Sequence, residues 1–84
     1  MTGRKARSDL IVRLAYNLKR LRNARQMTQR RLGQTCGLSP NYISDVERGR
    51  IEPRANNLQK LARGLGCSAD ELLREIPPPR GGAK

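Results

Sequence analysis

Asn41, Ser44 and Asp45 follow a Ser39-Pro40 pair at spacings that put them on one side of a short helix whose other side carries Ile43 and Val46. Their chemistry is that of hydrogen-bond readers. Asn41 can donate and accept in the bidentate pattern that adenine presents, Ser44 can bond several base edges, and Asp45 can accept from the cytosine amino group while repelling phosphates. Pro40 completes the outward set, and no arginine stands in this turn to read guanine. The alternative for these residues is ordinary solvated helix surface.

Catalysis finds no comparable constellation. The chain has no histidine, no Ser, Cys or Lys set beside a base, and no paired carboxylates in an apolar pattern, so an enzyme is not expected. Cys36 and Cys67 lack CxxC spacing, which leaves no zinc site, no disulfide framework and no cofactor to expect, with a redox switch as a minor alternative. Free thiols fit a reducing cytoplasm. No apolar run approaches the roughly 20 residues that span a bilayer, so no membrane is expected.

Lys and Arg number 18 against 7 acids, a formal charge of +11 on 84 residues, which points to a polyanionic partner. Between residues 10 and 44 every charged side chain is basic. Arg30 and Arg31 flank the surface expected to meet that partner. Gln29 begins a helix where backbone amides favour phosphate, and its side chain can anchor both phosphate and the reading helix. Tyr42 reads as a phosphate contact or a wedge near a dyad, and Tyr16 as structural packing.

Positioning these groups takes short helices and no strand, since no alternating apolar pattern appears. Residues 1–8 read as a flexible basic arm. Asp9 is the expected N-cap of a first helix that carries Leu10, Leu14, Leu18 and Leu21 inward and ends near Arg25. Thr28 caps a second helix closed by Gly37, and Ser39 with Pro40 at N1 opens a third that runs to about Arg48. Leu58, Leu61, Ala62 and Leu65 mark a fourth, ended by Gly66. Ser68 caps a fifth that presents Leu72, Leu73 and Ile76, and the proline run from Pro77 stops it. Residues 9–76 thus form one all-α, five-helix domain, and 77–84 a disordered Pro/Gly-rich basic tail.

The second and third helices, joined by Gly37-Leu38-Ser39, have the spacing of a helix-turn-helix. Arg22, Thr28-Gln29, Leu32, Gly37, Ser39, Ile43 and Glu47-Arg48-Gly49, with Pro53, Leu58, Leu61-Ala62, Leu65-Gly66, Ser68 and Leu72, resemble the pattern of the Cro and lambda-repressor type, the XRE-like helix-turn-helix family, over residues 14 to 73. Gly33 and Gly64 depart from it where the family usually carries alanine, each at a cost of roughly 1 kcal/mol. Gln26 takes a usual glycine position, where a left-handed turn costs about 1 kcal/mol.

The resemblance implies a lambda-repressor-like fold and sequence-specific binding of double-stranded DNA. It implies an internal ion pair between Arg22 and Glu47 that orients the reading helix, and backbone contacts from Ser39 and from Arg48, Arg50 and Arg54 in the following loop, with Arg54 in reach of the minor groove. Within the family the chain resembles restriction-modification controller proteins and small phage repressors, which regulate by occupancy, blocking or touching RNA polymerase. A single domain of this size makes too small an interface for specific affinity, so a homodimer on a pseudo-palindromic operator is expected, joined through Leu72, Leu73 and Ile76. Two other classes compete. One is an antitoxin-type module that binds its own promoter but mainly clasps a toxin partner, and the other is non-specific RNA or nucleoid binding.

Overall fold

The computed structural model describes the backbone of residues 2–77 and the side chains of residues 9–77. Five helices follow one another: α1 Thr2–Ala24, α2 Gln29–Cys36, α3 Pro40–Glu47, α4 Ala55–Leu65 and α5 Ala69–Leu72. Among the described residues there is no strand. Leu14, Leu18 and Leu21 of α1 close over Leu32, Ile43, Val46, Leu61, Ala62, Leu65 and Leu72, so every helix contributes to one core.

Local chemistry sets most boundaries. The Thr28 hydroxyl accepts from the Arg31 amide at 2.9 Å, Ser39 from Tyr42 at 3.1 Å and Ser68 from Glu71 at 3.3 Å. Each satisfies an amide that the first turn leaves without a helical partner. Gly37 ends α2 at φ 76°, a left-handed conformation that a side chain would strain.

The N-terminus departs from expectation. The chain is helical from Thr2, well ahead of the expected start, and Asp9 is no cap but an interior residue whose carboxylate accepts from Arg13 Nη2 at 3.3 Å. Arg4, Lys5, Ala6 and Arg7 are all strong helix formers, and nothing among them breaks the ladder. Leu10, expected inside, is 44% exposed, because the core begins one turn later at Leu14. Tyr16 is likewise exposed, on the face of α1 opposite Leu14 and Leu18.

The fifth helix is shorter than expected. It stops at Leu72, where the Leu72 and Arg74 carbonyls accept from Asn17 Nδ2 at 3.0 and 2.8 Å instead of continuing a helical ladder. Pro77 also disfavours helical backbone at Ile76. The expected disordered tail lies outside the described residues beyond Pro77.

Two glycines expected to be pure costs have a packing reason. A Cβ on Gly33 would collide with the Leu38 carbonyl, and one on Gly64 would stand 3.1 Å from Cys36 Cβ and 3.2 Å from Leu32 Cδ1. The first lets the turn fold back onto α2, and the second lets α4 approach it. Gln26, by contrast, sits at φ 56° with a side chain. Gln26→Gly should therefore stabilise the domain by about 1 kcal/mol, seen as a melting temperature higher by about 4–8 °C; an unchanged melting temperature would mean that the turn is not strained.

Candidate nucleic-acid interface

The turn between α2 and α3 is held by its own backbone. The Gly37 and Leu38 amides both donate to the Gly33 carbonyl, at 2.8 and 3.0 Å. Leu38 packs against the core, and Ser39 then caps α3 with Pro40 in its first turn. Ile43 at 0% and Val46 at 1% exposure fix the rotation of α3 about its axis. Pro40 and Asn41 are consequently exposed, and Ser44 and Asp45 half-exposed, on the outward side as expected.

One carboxylate locks three helices. Arg22 Nε and Nη2 donate to Glu47 Oε2 and Oε1 at 2.6 and 3.0 Å, and its Nη1 donates to the Met27 carbonyl at 2.6 Å. Gln29 Nε2 adds a bond to Glu47 Oε1 at 3.0 Å. The Glu47 side chain is 4% exposed. Fork-to-fork geometry of this kind specifies orientation as well as energy, so the C-terminal end of α3 is set relative to α1 and α2. Gln29 does anchor α3, with one of its two side-chain amide hydrogens.

Tyr42 differs from expectation. It packs partly buried against the core, and its hydroxyl oxygen accepts from Asn57 Nδ2 at 3.0 Å, tying α3 to α4. The ring is therefore not a free wedge, while the hydroxyl keeps its own hydrogen to donate. Arg30, Arg31, Arg48, Arg50 and Arg54 are all exposed. Asp45 Oδ1 lies 3.9 Å from Arg50 Nη1, so the one acid on the outward side of α3 has a cation beside it. Ser39 uses its hydroxyl oxygen in the cap and keeps its hydrogen to donate.

Leu72 cannot serve as an interface residue. It is 0% exposed and belongs to the core, because Asn17 draws the end of α5 onto α1. Leu73 is half-buried and Ile76 is 36% exposed. The latch residue Asn17 and the brace Asn57 were not anticipated. Asn17 had a signal, since it falls between Leu14, Leu18 and Leu21 on the buried stripe, where a polar residue demands partners; no pattern marks Asn57. Burial pushes the thiols of both Cys36 and Cys67 up from their ordinary value, which disfavours the reactive thiolate and fits packing roles. Among the described residues no cluster of His, Cys, Asp or Glu is placed to hold a metal, and no helix is long and apolar enough to cross a membrane.

Five helices around one core, with α2 and α3 crossing at a left-handed glycine and α3 turned outward, define a lambda-repressor-like DNA-binding domain. The helix-turn-helix family HTH_3 matches residues 18–72, and the chain belongs to this XRE-type family of transcription-regulator domains. The hypothetical transcription factor NHTF of Neisseria meningitidis is 40% identical over 70 residues, 83% of this chain. Its crystal structure superimposes with a TM-score of 0.75, covering 83% of this chain and 78% of that one. The restriction-modification controller protein C.AhdI of Aeromonas hydrophila is 34% identical with a TM-score of 0.71, over 74% of this chain and 94% of its own. The P22 c2 repressor, solved with a synthetic operator, is 33% identical with a TM-score of 0.69, over 75% and 96%. The aligned part of this chain spans 64% of the full length of the Neisseria relative.

Proposed function

We propose that the chain is a sequence-specific transcriptional regulator that binds a pseudo-palindromic operator as a homodimer and acts by occupancy. The observation that carries the reading is the presentation of Asn41, Ser44 and Asp45 on a helix whose rotation is fixed by Ile43 and Val46 and whose end is fixed by Glu47. Rigid presentation of polar side chains is what base reading requires, because hydrogen-bond complementarity in the major groove tolerates little displacement. The operator in the P22 repressor complex and the controller role of the Aeromonas protein support the same reading.

In this reading Asn41 pairs with adenine, Ser44 bonds a neighbouring base, and Asp45 accepts from a cytosine amino group while Arg50 relieves its repulsion from the phosphates. Pro40 packs against the bases. Arg30, Arg31, Arg48, Arg50 and Arg54 neutralise phosphates, with Ser39 donating to one and the amino end of α2 facing another. Two-fold symmetry then sets the two α3 helices about 34 Å apart, one turn of duplex.

The test is a binding series on a selected operator and on random duplex, each across a range of salt. Asn41→Ala should lose about 1–3 kcal/mol on the operator and nothing on random sequence, whereas Arg30→Ala should weaken both alike and flatten the salt slope. Equal losses on both duplexes for Asn41→Ala would overturn the assignment. A chain that binds every duplex equally, with a steep salt dependence, would establish non-specific binding instead.

A further inference from the structure

Asn57 is the third residue of α4, and its side chain makes one hydrogen bond among the described residues, from Nδ2 to the Tyr42 hydroxyl oxygen at 3.0 Å. The direction of that bond matters. A phenolic hydroxyl has one hydrogen to give and lone pairs to receive with. Asn57 fills the receiving side, and no group among the described residues accepts the hydrogen. We propose that Asn57 is a positioning residue of the DNA interface, which holds the Tyr42 hydroxyl from behind and keeps its hydrogen for an operator phosphate. This inference rests on the operator-binding reading above and adds to it a contact that fixes α3 from the α4 side.

Tyr42 adjoins Asn41 in α3 and is half-buried on the flank that meets α4, with its ring packed against the core. A tyrosine so placed keeps its body in apolar surroundings and offers a polar tip. Exposed arginines supply charge but lose side-chain freedom when they bind, whereas a donor with its ring packed and its oxygen held is fixed before DNA arrives. Phosphate contacts set register and carry no sequence information of their own. Here the element set in register is the one that carries Asn41 and Ser44. The surroundings favour an anion, since exposed Arg54 immediately precedes α4 and that helix opens with no side-chain cap, which leaves the positive end of its dipole within a turn of Asn57. The residue type at 57 also counts. An amide nitrogen can only donate to the hydroxyl, while a carboxylate there would accept its hydrogen and consume it.

Fluorescence anisotropy of the full chain on the selected operator and on random duplex, with thermal melts of each variant, tests this. Tyr42→Phe keeps the packed ring and should weaken both duplexes by about 10-fold or more, the loss of one hydrogen bond to a charged oxygen. Asn57→Ala should weaken both by about 3-fold or more and have no further effect when combined with Tyr42→Phe, which is the coupling that a positioning role demands. Replacing operator phosphates one at a time by neutral methylphosphonates should cost the wild type affinity at one backbone position in each half-site where Tyr42→Phe loses nothing further. If both variants melt lower yet bind as the wild type does once the folded fraction is counted, the bond is a structural brace alone, and the inference falls while the operator reading stands. A loss for Tyr42→Phe with none for Asn57→Ala would overturn the role of Asn57. A wild-type chain that binds no duplex would bring down the operator reading and this inference together.

Discussion

Arg22→Met should leave the domain largely unfolded at temperatures where the wild-type chain is intact. The substitution strips two hydrogen bonds from a carboxylate that is 4% exposed and one from the Met27 carbonyl, leaving Glu47 with Gln29 alone. Stranding a buried charge in this way costs about 3–5 kcal/mol. Small domains have only about 5–15 kcal/mol in total, and one of this length lies toward the lower end. Urea denaturation followed by far-ultraviolet circular dichroism should show the midpoint collapse. Arg22→Met combined with Glu47→Leu removes both charges together and should recover most of the loss, since a well-packed apolar pair often replaces a buried ion pair without penalty. Operator affinity should not recover with it, because the bonds from Arg22 and Gln29 that fix the end of α3 are gone. A single variant with an unshifted midpoint would show that the ion pair holds nothing.

That pair is also where sequence and structure agree best. Arg22 and Glu47 are 25 residues apart, and their pairing follows from family resemblance, not from any local rule. The caps at Thr28, Ser39 and Ser68 and the left-handed end at Gly37 were legible for a different reason: each is an interaction among residues three or four apart, decided by side-chain chemistry alone. The outward face of α3 follows from Ile43 and Val46 by helical periodicity. What escaped depends on tertiary surroundings. Leu10 obeys the leucine stripe yet lies at the edge of the core, since periodicity does not say where the neighbouring helices end. Tyr42 has the composition of a surface contact and becomes a brace only because Asn57 comes within 3.0 Å from α4. The start of α1 was misread because a plausible cap at Asp9 outweighed the helix-forming residues before it.

Fixing α3 is a matter of anchoring a short element from several sides. Eight residues of helix have little stability alone. Core burial of Ile43 and Val46 fixes its roll, the Glu47 bonds fix one end, and the Ser39 cap with the Gly33 carbonyl bonds of the preceding turn fixes the other. The outward side chains of Asn41 and Ser44 are left free of structural duty, Pro40 serves in the first turn, and Asp45 makes only a weak, exposed contact with Arg50. Substitutions on the outward side should therefore alter sequence preference with little effect on stability, while those beneath it should do the reverse.

The second large effect is expected at the latch that closes α5 onto α1. Asn17 is 1% exposed and spends both amide hydrogens on the Leu72 and Arg74 carbonyls. Asn17→Asp keeps the size of the side chain but sets a carboxylate with no donor against two carbonyl oxygens. The loss should be about 3 kcal/mol or more near neutral pH, from two unsatisfied acceptors and a desolvated charge. Its pH dependence has a definite sign. Burial and the facing carbonyls favour the protonated acid, so the introduced carboxyl has a higher pKa folded than its unfolded value of about 3.9. The folded state then holds the extra proton more tightly. The variant is least impaired below about pH 4, where the acid can donate to one carbonyl, and its deficit grows as pH rises through the folded pKa. Asn17→Leu lacks the proton altogether and should show a smaller loss, about 1–3 kcal/mol, that does not vary with pH on account of this site. Urea midpoints of the two variants against wild type at pH 4 and pH 7 separate the cases. A constant Asn17→Asp deficit at both would mean that water reaches position 17 and that the end of α5 is not latched to α1.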